Sequence, residues 1–253
     1  METKLEKFNN EYADLMRQWK SRHKSAGYRS FVSDGVLCPE IWFSQTTRIL
    51  FILKEAYSGN QDDDIDWNLL DYLNSIAGSK GRIWSAIAEW QHALDHTTKE
   101  SIPIFDNWLG CTVGDMPQYR KVKCDLLRKC AIINIKKSNG RNGSADSDLL
   151  EYIQKDWDLL KKQIEIIDPT IIVCGSTFHL LKDCPKDPVS KRKLILGADT
   201  SSLSQDRGCK RIGDTTVIAY YHPANQYPAA LNYYGISGMY HSYLREEKEK
   251  YEP

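Results

Sequence analysis

The stretch Leu149-Leu-Glu-Tyr-Ile-Gln-Lys-Asp-Trp157-Asp-Leu-Leu160-Lys-Lys-Gln-Ile164-Glu-Ile-Ile167-Asp168-Pro169-Thr170-Ile-Ile-Val-Cys174-Gly175 decides the fold. Leu149, Ile153, Trp157, Leu160 and Ile164 recur at helical spacing, so residues 148–167 read as an amphipathic helix, with Asp146 or Ser147 placed to cap it. Asp168-Pro169 stops that helix, because proline lacks an N–H and restricts the residue before it. A β-branched run begins within three residues. An apolar strand reached from a helix by so short a connection is the αβ step of a parallel sheet.

Three further runs share this character: Arg48-Ile-Leu-Phe-Ile-Leu53, Cys130-Ala-Ile-Ile-Asn-Ile135 and Thr216-Val-Ile-Ala-Tyr220. They lack the polar alternation of a half-wet strand, so each is expected to be covered on both faces. Ile83, Trp84, Ile87 and Trp90 mark a helix over 82–94, and Leu5, Phe8, Tyr12, Leu15, Met16 and Trp19 mark an opening helix that ends before Gly27. No repeat or linker divides the chain. The expected fold class is α/β, a single domain over 1–253 with a central, mainly parallel four-stranded sheet flanked by helices. A helical extension is expected at 1–30 and an insert at 184–213, where Pro, Asp, Ser and Lys accumulate.

Composition narrows the classes of function. The 253 residues hold 34 Lys and Arg against 34 Asp and Glu, so net charge gives no global argument for a nucleic-acid partner. No run approaches the length of a membrane span, and Glu2, Glu6, Glu11 and Asp14 are foreign to a signal or transit peptide, so a cytoplasmic protein is expected. Seven cysteines at unpatterned spacing, with no Cys-x-x-Cys, are expected to be reduced thiols rather than a disulfide framework or zinc ribbon. Charge is nevertheless uneven. Residues 120–141 hold eight bases against Asp125 alone, and residues 61–71 hold Asp62, Asp63, Asp64, Asp66 and Asp71 with no base. Such runs are most often solvated surface; the sharper reading is a positive face and a negative pocket rim.

In an open parallel sheet, ligands bind beyond the carboxyl ends of the strands. Here those ends are polar: Lys54-Glu55-Ala56-Tyr57-Ser58-Gly59, then Asn134 with Lys136-Lys137-Ser138-Asn139-Gly140-Arg141-Asn142-Gly143, then Gly175-Ser176-Thr177, then Tyr221-His222-Pro223-Ala224-Asn225. Each has a plain alternative. His222 can cap a strand end, Asn134 can form a buried turn, Glu55 can start a helix, and Gly175-Ser176-Thr177 suits strand-to-helix geometry as well as a phosphate.

These motifs resemble the uracil-DNA glycosylase superfamily. Asn134-Ile135-Lys136-Lys137 with Gly140 and Asn142 is similar to the Asn-Val-Val-Lys segment and later Asn of its bacterial iron–sulfur branch. The helix, Asp168-Pro169, strand and Gly175 resemble a second segment of that branch, and Tyr221-His222-Pro223-Ala224 resembles its His-Pro-Ser/Ala loop. Glu55-Ala56 and Gly59 resemble its Gly-Glu-Ala-Pro-Gly turn more loosely.

The resemblance implies a monofunctional DNA glycosylase acting on a flipped pyrimidine, with no metal and no cofactor. Breaking a base–sugar bond develops negative charge on the departing base and positive charge on the sugar, so the site needs donors for the base and a carboxylate for water. His222 is implied as donor to the base O2 and Glu55 as the water-positioning carboxylate, with Asp62, Asp63 and Asp64 next in line. Asn134 carries both a donor and an acceptor for a pyrimidine edge. Ala56, Tyr57, Asn142 and Ser176 are further base- or DNA-binding candidates. Lys136, Lys137 and Arg141 are expected on phosphates, and Asn225, Gln226 and Tyr227 share the His222 loop, where Gln226 or Tyr227 would fill the gap left by the flipped base.

Departures from the family matter as well. Lys54 stands at its first Gly, Tyr57 at its Pro and Ser138 at a cluster Cys, so no iron–sulfur cluster is expected. Residues 73–81 supply no aromatic where the family stacks one on uracil, which implies a pocket open to a bulkier base, such as the hydroxymethylated or glucosylated cytosines of some phage DNA. Anti-phage defence would be the corresponding role. The alternatives are uracil repair, a non-catalytic DNA- or nucleotide-binding module, and a small-molecule nucleoside hydrolase.

Overall fold

A computed structural model describes residues 2–57, 65–75, 81–105, 117–140, 143–182 and 207–249. Gly59, Asp62, Asp63, Asp64, Ala77, Gly78, Cys111, Arg141, Asn142 and residues 184–206 of the expected insert, Cys184 among them, lie outside the described residues. In chain order the described elements are α1 (Lys4–Ser25), β1 (Val32–Ser33), β2 (Gly35–Val36), α2 (Pro39–Ser44), β3 (Ile49–Ala56), β4 (Trp67–Asn68), α3 (Leu69–Asn74) and α4 (Arg82–His96). They continue with α5 (Pro117–Leu127), β5 (Ala131–Asn139), α6 (Asp146–Ile167), β6 (Ile171–Gly175), α7 (Phe178–Leu181), β7 (Gly208–Ile212), β8 (Thr215–Tyr220) and α8 (Ala229–Glu249).

The main sheet has the order β2-β5-β3-β6-β8-β7. Its middle four strands pair in parallel and are the four apolar runs of the sequence. The expected four-stranded sheet is thereby corrected to six: β2 and β7 add antiparallel edges. Neither edge has an apolar run, since β2 is two residues long and β7 reads Gly-Cys-Lys-Arg-Ile.

Strand parity divides the core. Leu50, Ile52, Ile133, Ile135, Ile172, Cys174, Val217 and Ala219 face one apolar layer, formed with Phe8, Leu15, Trp19, Leu149, Leu160 and Ile164. Phe51, Leu53, Ile132, Val173, Ile218 and Tyr220 face the other, formed with Leu69, Ile87, Trp90, Leu94 and Tyr233. Each buried aliphatic side chain contributes roughly 1.5–3 kcal/mol, so the doubly covered strands anchor the sheet. The opening helix is therefore a core element and not an extension: Phe8, Tyr12, Leu15 and Trp19 are buried. Within the expected insert, Gly208–Ile212 forms an edge strand paired with β8. Helix α6 starts at Asp146 after Ala145 and has no side-chain cap, so the expected Asp146 or Ser147 cap is corrected; Asp146 instead bonds His179 and Lys54.

Candidate active site

A cavity of about 490 Å³ opens at the carboxyl ends of the parallel strands. Glu55, Ala56 and Tyr57 reach it from the end of β3, Asn134 from β5, Ser176 from the turn after β6, and His222 and Ala224 from the loop after β8. Register explains the convergence. Leu53 pairs with Asn134 and Glu55 with Lys136, and a bulge between Glu55 and Ala56 turns the strand end over the cavity.

His222 is held by its own loop. The Ala224 N–H donates to His222 Nδ1 at 3.2 Å, while the Asn225 backbone N–H and side-chain amide both donate to the His222 carbonyl, at 2.9 and 2.8 Å. Burial pushes the imidazole down to about 4, aided by the Lys54 ammonium. The ring is therefore neutral at pH 7, and with Nδ1 accepting, its proton sits on Nε2. Gly175 makes room for this loop, because a Cβ there would lie 2.9 Å from Leu53 Cδ2 and 3.3 Å from Pro223 Cδ. Ser176 beside it holds φ at +52°, a left-handed backbone uncommon outside glycine.

Glu55 sits under the opposite wall. Ser144 Oγ donates to its Oε1 at 2.8 Å and Lys136 Nζ lies 3.2 Å from its Oε2. Lys136 also bonds Asp148 at 2.7 Å; burial works against its charge, but the two carboxylates outweigh that and raise it above its ordinary value. The ordered Glu55 owes its place to Gly140, where a Cβ would lie 2.7 Å from Glu55 Cγ and 2.9 Å from the Ala56 carbonyl.

Behind Asn134 lies a buried ionic cluster that the sequence reading missed. Asp34 is 1% exposed and accepts from Lys137 Nζ at 2.6 Å, Gln163 Nε2 at 2.9 Å, Asn134 N at 2.7 Å and Asn134 Nδ2 at 3.2 Å. Lys137, expected on phosphate, is fully enclosed, with its ammonium 4.8 Å from the Trp19 ring centroid and bonded to the Asn134 carbonyl at 2.9 Å; that expectation is corrected. Parity was the available signal. Residues 133, 135 and 137 of one strand share a face, and Ile133 and Ile135 place that face in the core.

The other described bases of the run are divided between interior and surface, with Lys121 and Arg128 exposed. Lys123 is buried on Ser85 Oγ at 2.9 Å, Lys129 pairs with Asp95 and Lys121 with Asp125. Lys136 is committed to Glu55 and Asp148, so it too is corrected from a phosphate contact to a brace of the site. In the His222 loop, Asn225 accepts from Tyr227 N and Asn232 Nδ2 and so shapes the loop. Gln226 and Tyr227 are exposed, but Arg82 binds the Gln226 side chain at 2.8 Å and the Tyr227 carbonyl at 3.0 Å, and the Tyr227 ring packs edge-on against Tyr221.

The cavity is not relieved of aromatic rings by the lack of one in residues 73–81. Trp67, Tyr72, Trp84 and Tyr57 line it, contributed from either side of residues 73–81 rather than from within them. Trp67 meets Tyr72 edge-on at 6.1 Å and donates from Nε1 to Asn139 Oδ1 at 3.2 Å.

Among the described residues, no group of three or more His, Cys, Asp or Glu is arranged to hold a metal, and no helix is long and apolar enough to cross a membrane. Comparisons with protein-family models, with curated proteins and with solved structures return no match.

Proposed function

We propose that the protein is a monofunctional DNA glycosylase that hydrolyses the N-glycosidic bond of a flipped, modified pyrimidine. The observation that carries the reading is the neutral His222, whose Nδ1 is occupied by the Ala224 N–H and whose Nε2–H is left as the donor in a cavity shared with Asn134 and Glu55. As the C1′–N1 bond breaks, its electron pair moves onto the base and charge gathers at O2. A preorganised neutral donor stabilises that charge more than it stabilises the ground state. Glu55 accepts a hydrogen bond from the water that adds to C1′, takes its proton as the C1′–O bond forms and passes it to solvent; the base departs as an anion and is protonated by solvent. Asn134 reads the base edge, and the Trp67, Tyr72 and Trp84 rings supply the surface on which it stacks.

The volume of about 490 Å³ falls in the range that encloses drug-sized ligands, which leaves room for a base with a large substituent. Removal of such a base from phage DNA would be a defence function. The test is incubation with duplexes carrying uracil, hydroxymethylcytosine or glucosylated hydroxymethylcytosine, with mass spectrometry of released bases. Release of the glucosylated base is expected; release of uracil alone makes the protein a repair enzyme, and no release removes the reading.

The enclosure of Lys123 and Lys137, two members of the basic run, favours one second reading, hydrolysis of a free nucleoside in the same cavity. Salt separates the two, because DNA binding weakens steeply as counterions are added and nucleoside binding barely changes.

A further inference from the structure

We infer that Asp34, a residue with no access to the cavity, determines which pyrimidine edge the site accepts, by locking the side-chain amide of Asn134 in one orientation. The inference rests on the proposed reading of Asn134 as the base-contacting amide and deepens it. A free asparagine amide can turn over and exchange its oxygen for its nitrogen, so by itself it pairs equally with the uracil-type edge, an acceptor beside an N–H, and the cytosine-type edge, an amino group beside an acceptor. Asn134 cannot. Its Nδ2 lies 3.2 Å from Asp34 Oδ2, and its own backbone N–H reaches the same oxygen at 2.7 Å. Turning the amide over would set Asn134 Oδ1 against a carboxylate oxygen, two acceptors facing each other in a buried place.

The carboxylate is itself immobile. Lys137 Nζ and Gln163 Nε2 bond its other oxygen, and the Asp34–Lys137 pair is wholly enclosed. Such a pair is costly to bury, and its use here is geometric: it fixes the acceptor that fixes Asn134. One amide hydrogen is thus committed inward, and Oδ1 with the second hydrogen is presented to the cavity in a fixed order. Asp34 is a positioning residue that sets specificity, and the site distinguishes the two edge types whatever stands at position 5 of the ring.

The test uses the full chain and two readouts, one of which needs no nucleic acid. At least one Asn134 Nδ2 hydrogen of the wild type, observed by NMR, should be protected from exchange with solvent by roughly tenfold or more relative to a free asparagine amide; exchange of both hydrogens at the free rate overturns the lock. Binding is then measured with single-stranded oligonucleotides carrying 2′-fluoro-arabino uridine or cytidine, which resist cleavage. The wild type should prefer one by roughly tenfold or more, the scale of a mismatched buried contact. In Asp34→Leu/Lys137→Met, which removes both charges and the acceptor at similar volume, the preference should shrink to within about threefold while the fold persists. An unchanged preference in that variant overturns the role of Asp34. A locked amide in a wild type that binds neither oligonucleotide overturns the base-reading assignment itself, which the NMR result keeps distinct from failure of the lock. If the double variant does not fold, the wild-type NMR measurement still decides whether the lock exists.

Discussion

The backbone N–H of Ala224 points at Nδ1 of His222 from 3.2 Å, and this contact decides where the imidazole carries its proton. A ring held at about 4 by burial is neutral at pH 7, so one nitrogen must accept and the other donate. The Pro223-Ala224 turn makes the choice. It converts a histidine at a strand end into a donor of fixed direction, with no proton to gain or lose near neutrality.

For catalysis, His222→Ala should lower single-turnover base release by roughly a hundredfold or more, the scale of one lost preorganised donor, while DNA binding stays within a few-fold. The wild-type rate should also be flat in pH from about 6 upward as far as His222 is concerned, because the group titrates near 4. A rate that rises with an apparent pKa of about 6.5 and loses that limb in the variant would show that the histidine acts in another protonation state.

Stability should respond to pH through groups of opposite sign. His222 and His92 are both held at about 4 by burial against an ordinary 6.5, so between those values the unfolded chain binds protons that the native one refuses, and stability is lost as pH falls. Glu89 is the reverse. Burial pushes it up to about 7 from 4.5, so its contribution is fully present below 4.5 and is lost as pH rises towards 7. Glu89→Gln should therefore stabilise the protein at pH 8 by about 1–3 kcal/mol and change little at pH 4, whereas His92→Gln should flatten the acid limb. Urea melts at pH 4, 6 and 8 check both, and equal effects of Glu89→Gln at all three would refute the assignment.

Much of the fold was legible because four strands are buried on both faces, which leaves an apolar run without alternation; Ile171–Gly175 is such a strand. The edge strands β2 and β7 leave no such trace, and α1 hid its importance because its own periodicity says only that one face is apolar. Candidate residues at strand ends were legible for a topological reason: Glu55, Ser176 and His222 end or follow a parallel strand, whereas Asn134 lies inside β5, and all four line one cavity. Asp34 was not legible. It is a single acid between two very short strands, and only its position 2.6 Å from Lys137 gives it meaning. Trp67 and Trp84 escaped for a related reason, since aromatic residues serve the core far more often than a ligand, and nothing local separates the two uses.

Gly140 offers a test of how tightly Glu55 is placed. A methyl group there would meet Glu55 Cγ, Glu55 Cδ and the Ala56 carbonyl, all under 3.0 Å, so something must shift. Gly140→Ala should destabilise the protein by about 1–3 kcal/mol and displace the carboxylate from Ser144 and Lys136. Base release should then fall more than Glu55→Gln alone would explain if the backbone moves too, and by the same factor if only the carboxylate moves. Unaltered thermal stability and unaltered release in Gly140→Ala would show that Glu55 needs no such seat.

Pocket size decides between a bulky base and uracil, and two substitutions in the cavity wall move it in opposite directions. Trp67→Ala removes a stacking ring that also braces Asn139, so binding of any flipped base should weaken by roughly ten- to a hundredfold, felt in KM more than in kcat because stacking is equal in ground and transition states. Ala224→Leu leaves the backbone N–H that orients His222 in place and adds three carbons to the wall. It should obstruct a glucosylated cytosine, at a cost of about 1–3 kcal/mol of overpacking, while a uracil-sized base still fits. The ratio of glucosylated hydroxymethylcytosine release to uracil release, measured for the wild type and both variants, reads the effect directly. That ratio should fall about tenfold or more in Ala224→Leu and change little in Trp67→Ala, since the ring serves both bases. If Ala224→Leu slows both bases alike, the cavity is filled by uracil already, and the enlarged-base reading is wrong.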